Sequence, residues 1–176
     1  GRGRQTHVKV GVVRAVQTGV DVVGHAVLRA KNFIGDEPFA VLYGDDIIFS
    51  EKPVVAQMIE SYEKYGRAVC GVKTVPEELV MKYCSLRTHP IEGSEREFFV
   101  DDMIEKPRTR EEIFSNYSIL GRVLLTPDIF DIIDETPPGA GGEIQLTDAM
   151  RTLTEELFRY SVIAGTCDEL HTEPLC

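Results

Sequence analysis

Two acidic or basic pairs and one glycine-rich stretch carry the residue types that could do chemistry. Asp45 and Asp46 follow the apolar run Phe39 to Tyr43 and Gly44. A carboxylate at that point can hold a hard cation such as Mg2+, which takes oxygen ligands and shares them with phosphates. Aspartate is equally favoured in turns and helix caps. Glu105 and Lys106 close a second apolar run ahead of Pro107. The lysine can neutralise a phosphate while the carboxylate accepts from sugar hydroxyls; an exposed Glu-Lys pair can also be plain solvated surface. Pro137 to Glu143 holds three glycines ahead of a helix, where backbone amides could receive an anion. It lacks the Gly-Lys-Ser/Thr ending of a phosphate-binding Walker loop, and a flexible connection is the alternative. His7, His25, His89 and His171 have no metal-ligand spacing, and no nucleophile-plus-base pattern occurs.

The elements that must position these residues alternate in type. Val8 to Val16 is valine-rich and reads as a strand, and Val23 to Phe33 has helical spacing ending before Gly35. Phe39 to Tyr43 is wholly apolar, as expected of a strand buried on both faces. Pro53 to Tyr65 reads as a helix stopped by Gly66. Ala68 to Val75, Phe98 to Ile104 and Tyr117 to Leu125 read as strands, and helices are expected from Thr126 to about Glu135 and from Leu146 to Phe158. Alternating strands and helices imply a three-layer, mostly parallel α/β sheet. Ligands then sit beyond the carboxyl ends of the strands, where Gly44-Asp45 and Glu105-Lys106 fall.

Composition narrows the partners. The 176 residues suffice for one domain (1–176), and no linker or repeat divides them. A net charge of −10 argues against nucleic acid or an anionic membrane as partner. Phosphorylated small molecules are still compatible, because local cations and amides hold them. Cys70, Cys84, Cys167 and Cys176 lack paired spacing and are expected to be free thiols. No apolar run approaches a membrane span and no signal peptide is evident, so the cytoplasm is the expected location.

Taken together in order, the motifs are more specific than any one of them. Val23-Gly24-His25-Ala26-Val27-Leu28, Gly35 to Leu42, Gly44-Asp45-Asp46, Ile104-Glu105-Lys106-Pro107, Ser115 to Arg122 with Leu125-Thr126-Pro127, and Pro138 to Ala149 resemble the bacterial UTP–glucose-1-phosphate uridylyltransferases across roughly residues 12 to 158. The resemblance implies a Rossmann-like sheet of the nucleotide-diphospho-sugar transferase type, incomplete at its amino terminus. It implies that Asp45 binds catalytic Mg2+, that Glu105 holds the glucose hydroxyls, and that Lys106 holds the sugar phosphate as a catalytic cation. Gln17 falls where the family reads the uracil edge, Gly24 lies in the nucleotide-binding segment, and Asn116, Ile119 and Gly121 would line the sugar pocket. The implied substrates are UTP and glucose 1-phosphate, and the implied products are UDP-glucose and pyrophosphate.

The chain also departs from that pattern. The family's Gly-x-Gly-Thr-Arg loop has no counterpart, since Gly1-Arg2-Gly3-Arg4 is similar to a later family segment. Val22 stands where a glycine is usual, and Cys84 replaces a glycine whose backbone faces the sugar, so a thiol is expected to narrow the pocket. Asp168 is the candidate for a second metal ligand, with different glycine spacing. A missing first strand would expose a sheet edge, so a homo-oligomer is expected. Two alternatives stay open: a non-catalytic remnant that binds sugar nucleotides or assembles with a partner, and a glucose-1-phosphate thymidylyltransferase.

Overall fold

The computed structural model describes residues 23–44, 46–139, 142–157, 160–164 and 171–174. The strand expected at 8–16, together with Gln17, Val22, Asp45, Cys167, Asp168 and Cys176, lies outside them.

A six-stranded sheet in the order β1-β6-β3-β7-β5-β4 forms the frame. Its strands are β1 (Phe39–Leu42), β3 (Ala68–Thr74), β4 (Cys84–Pro90), β5 (Glu97–Glu105), β6 (Tyr117–Leu125) and β7 (Tyr160–Ala164). A separate ladder joins β2 (Asp46–Phe49) to β8 (His171–Pro174). The helices are α1 (Val23–Arg29), α2 (Lys31–Ile34), α3 (Val54–Tyr65), α4 (Glu77–Val80), α5 (Ile129–Glu135) and α6 (Leu146–Leu157).

Side-chain alternation in the central strands divides the interior into two layers. On β3 and β6, Val69 and Leu124 point to one face and meet Met58, Val54 and Ile59 of α3. Their neighbours Ala68, Cys70, Val123 and Leu125 point to the other face, with Val27 of α1, Phe130 of α5 and Met150 and Leu153 of α6. This is the period of two that a sheet covered on both faces requires. Burying a side chain as completely as Met58 contributes about 1.5–3 kcal/mol.

Strand directions are more mixed than alternation suggests. β3 and β7 pair in parallel, but β6 runs antiparallel between β1 and β3. β5 likewise runs antiparallel to both of its neighbours, β7 and β4. β5 and β6 thus run against β1, β3, β4 and β7. β5 pairs with β4, the strand that immediately precedes it, an arrangement that needs no helical crossover.

β1 corrects one expectation. It alternates in exposure, with Leu42 53% exposed, so it is not buried on both faces. Its covered face is secured by Phe39, which stacks on Phe130 of α5 with ring centroids 5.0 Å apart. The helix expected from Val23 to Phe33 is broken at Ala30 into α1 and α2. α3 follows expectation: Pro53 precedes it, and Gly66 ends it in the left-handed region at φ 64 while donating to Tyr62 O.

Candidate functional site

Glu105 is the last residue of β5 and stands opposite Cys84 in the β4 ladder. The strand stops because Lys106 adopts a left-handed backbone, φ 47, before the buried Pro107. For a residue with a Cβ this conformation costs on the order of 1–3 kcal/mol and persists only where neighbours impose it. Tyr83 O accepts the Lys106 N–H at 2.9 Å, which fixes the turn. Lys106 is exposed, whereas Glu105 is half-buried.

α6 supplies the partner of Glu105. Thr147 Oγ1 donates to Glu105 Oε2 at 2.9 Å. One turn later on the same helix face, Arg151 Nε donates to Asp102 Oδ1 at 2.8 Å. The helix is therefore latched to β5 at two points. Burial raises the Glu105 carboxyl above its ordinary value; the Thr147 hydrogen bond and the Lys106 charge oppose that rise, and Asp148 adds to it.

Cys84 links this strand end to β6. Ile119 N–H donates to Cys84 Sγ at 3.3 Å, and the same sulfur lies 3.6 Å from Ser118 Oγ. The thiol expected to narrow a pocket belongs to the buried core cluster. Burial pushes it up to about 11. Cys70 and Cys84 are both free, as expected.

Gly121 has a different neighbour. Its φ of 64 lies at an irregularity in the β3–β6 ladder, between the Cys70 and Val72 pairings. A glycine supplies that conformation without Cβ strain. Gly121 O accepts the Tyr43 N–H at 2.9 Å. Arg122 Nη1 donates to both Gly121 O and Tyr43 O, each at 2.8 Å. These bonds anchor the exit of β1 just before Gly44. Asn116 is exposed just before β6 begins, towards the end of the sheet at which β1 exits, and its carbonyl accepts the Val75 N–H at 2.9 Å.

The segment leading into α6 joins several of these parts. A Cβ on Gly24 would lie 2.5 Å from Ile144 O, so glycine is what allows α1 to approach this backbone. A Cβ on Gly139 would lie 2.6 Å from Asp148 Oδ2, and Gly139 N–H donates to Glu143 O at 2.7 Å. The described part of the glycine-rich stretch thus packs against a carboxylate of the chain itself. Of its two readings, an anion-receiving segment and a flexible connection, a carboxylate so close to Gly139 disfavours the first.

The structure therefore brings Glu105, Lys106 and Ile119 together around Cys84, sets Gly121 beside the exit of β1, and packs Gly24 on Ile144. Sequence reasoning missed Ile144, Thr147 and Asp148 as site-forming residues. The available signal was a Thr-Asp pair in the first turn of an expected helix after a glycine-rich stretch. Among the described residues, no group of three or more His, Cys, Asp or Glu could hold a metal ion. A cation shared between one carboxylate and phosphate oxygens needs no such group, and Asp45 lies outside the described residues.

Comparison with known proteins places this geometry in context. Residues 2–165 match the family model described as nucleotidyl transferase. The UTP–glucose-1-phosphate uridylyltransferase 2 of Staphylococcus saprophyticus is 45% identical over 140 residues, covering 78% of this chain and 47% of that protein. A UTP–glucose-1-phosphate uridylyltransferase of Bacillus subtilis is 47% identical over 133 residues, covering 76% of this chain and 44% of that protein. A crystal structure of UDP-glucose pyrophosphorylase complexed with UDP-glucose superposes with a TM-score of 0.80 at 37% identity, covering 89% of this chain and 57% of that one. The chain thus spans about half the length of the curated relatives it matches.

Proposed function

Because this chain belongs to the nucleotidyl transferase family, we propose that it acts in uridylyl transfer, making UDP-glucose and pyrophosphate from UTP and glucose 1-phosphate. The observation that carries this reading is the Glu105-Lys106 pair at the end of β5. A half-buried carboxylate held by Thr147 sits next to an exposed cation on a strained backbone. Such a pair suits a sugar phosphate: the carboxylate accepts from hydroxyls and the ammonium faces the phosphate.

In this reading an oxygen of the glucose 1-phosphate attacks the α-phosphorus of UTP. A new P–O bond forms, the bond to the β-phosphate bridge oxygen breaks, and pyrophosphate leaves. The chain has to align the two phosphates and neutralise their charge, and no covalent intermediate on the protein is needed. Lys106 holds the sugar phosphate and Glu105 orients the ring. Ile119, Asn116 and Gly121 border the sugar, while Gln17 and the backbone near Gly24 face the uridine. Asp45, with phosphate oxygens, would hold Mg2+, which would supply further charge neutralisation.

The uridylyl assignment is preferred over the thymidylyl one. The relatives at 45% and 47% identity carry uridylyltransferase names. The likeness to a putative glucose-1-phosphate thymidylyltransferase, at 18% identity and a TM-score of 0.64, shows the fold alone. No described helix is long and apolar enough to cross a membrane, which suits a cytoplasmic enzyme. We also propose association with a second copy, which the exposed Leu42 on β1 supports; light scattering at a monomer mass would contradict it.

The direct test is pyrophosphate release from UTP and glucose 1-phosphate with Mg2+, run beside dTTP. Release that requires the sugar phosphate and prefers UTP is the expected result. Preference for dTTP would move the assignment to the thymidylyl branch. No release from folded protein would favour a non-catalytic sugar-nucleotide binder.

A further inference from the structure

Thr147 touches Glu105 but has no ligand-facing role in the reading above. It occupies the second position of α6, contributes no side chain to the core clusters, and spends its hydroxyl on one acceptor, Glu105 Oε2, at 2.9 Å. The helix carrying it is held in register along β5 by the Arg151–Asp102 bond at 2.8 Å. Asp102 is largely covered there, with its side chain 17% exposed. Leu146, Ala149, Met150 and Leu153 bury the inner face of α6 and prevent rotation about its axis. Thr147 is thus fixed by its helix, whereas Glu105 has three rotatable bonds and sits at a strand terminus.

We propose that Thr147 is a positioning residue for the sugar-binding carboxylate: it engages Oε2 and leaves Oε1 aimed at a ligand hydroxyl. The inference rests on the reading of Glu105 given above. A half-buried carboxylate without a fixed donor would sample several rotamers and pay desolvation in each. One hydroxyl donor both selects a rotamer and favours the ionised form, which is the form that accepts from two sugar hydroxyls. The charged or titratable groups facing Glu105 are Lys106 from its own turn, Asp148 from α6 and Cys84 from β4. Burial and Asp148 oppose ionisation, and Thr147 and Lys106 favour it.

Two variants separate positioning from bulk. Thr147→Val keeps the shape and removes the donor; Thr147→Ser keeps the donor. The first readout needs no ligand: carbon-detected NMR titration of the Glu105 carboxyl in the whole chain. Thr147→Val should raise its midpoint and Thr147→Ser should restore it. The second readout is calorimetric affinity for UDP-glucose, expected to fall about tenfold in Thr147→Val and by less than about twofold in Thr147→Ser. If valine prevents folding, Thr147→Ala removes the same donor and is read identically.

Glu105→Gln measured in parallel keeps the two levels apart. Wild type that binds, Glu105→Gln that weakens and Thr147→Val that matches wild type in both readouts would overturn the positioning role alone. Unchanged affinity in Glu105→Gln, or no binding by folded wild type, would overturn the reading of Glu105 itself and the inference built on it.

Discussion

Gly24 of α1 lies directly against the backbone of Ile144, so close that a Cβ on Gly24 would come within 2.5 Å of the Ile144 carbonyl oxygen. Two segments 120 residues apart in the sequence (144 − 24) thereby share one contact, and the second of them leads straight into the helix that holds Glu105. Backbone cannot step aside as a flexible side chain can. Gly24→Ala should therefore lower stability by about 1–3 kcal/mol, read as a shift of the urea midpoint at constant slope. A variant as stable as the parent would show that α1 docks differently.

Lys106 makes the opposite prediction. Its φ of 47 is a conformation that glycine adopts freely. Lys106→Gly should raise stability by about 1 kcal/mol relative to Lys106→Ala, while both variants lose the ammonium. A stability gain paired with weaker ligand binding would identify a residue kept at a strained position for its charge. Equal stability of the two variants would remove the strain argument.

The two buried thiols should be inert. Burial raises Cys70 well above an ordinary thiol and pushes Cys84 up to about 11. The thiolate is the reactive form, so neither residue should be alkylated near pH 8 until urea unfolds the chain. Peptide mapping by mass spectrometry after iodoacetamide treatment reads this directly. Rapid labelling of Cys84 in folded protein would mean that the β4–β6 contact opens.

Much of this architecture is legible in the sequence where packing follows a simple period. β3, β6, α3, α5 and α6 carry apolar spacing that matches their buried faces, and Pro53 and Gly66 mark the ends of α3. β4 was not legible: Cys84 to Pro90 contains Ser, Arg, Thr and His, and it is a strand because β5 supplies a partner. β2 and β8 are four residues each and depend on one another across the length of the chain. The Glu105-Lys106 pair could be found from its place after an apolar strand. Thr147 could not, because its function depends on how α6 crosses the end of β5.

The raised carboxyl of Glu105 fixes the sign of a pH effect. In the folded chain burial disfavours the ionised form, so the folded state keeps its proton to higher pH than the unfolded chain. Stability linked to this group therefore rises as pH falls from neutral through the raised folded value towards the ordinary value of 4.5. Glu105→Gln removes the charge, so it should be more stable than wild type at neutral pH, by about 1 kcal/mol or less. That advantage should shrink on acidification. Urea melts of both proteins across this range test it, and an advantage that grows towards acid would contradict the assignment.

Calorimetric titration of the folded chain with UDP-glucose and Mg2+, repeated on Lys106→Ala, tests the central claim most directly. Saturable binding by wild type and an affinity about tenfold weaker in the variant is the expected result, because a charge-assisted phosphate contact is lost. Absence of binding by folded wild type, or equal affinity in Lys106→Ala, would contradict a sugar-phosphate site at the end of β5.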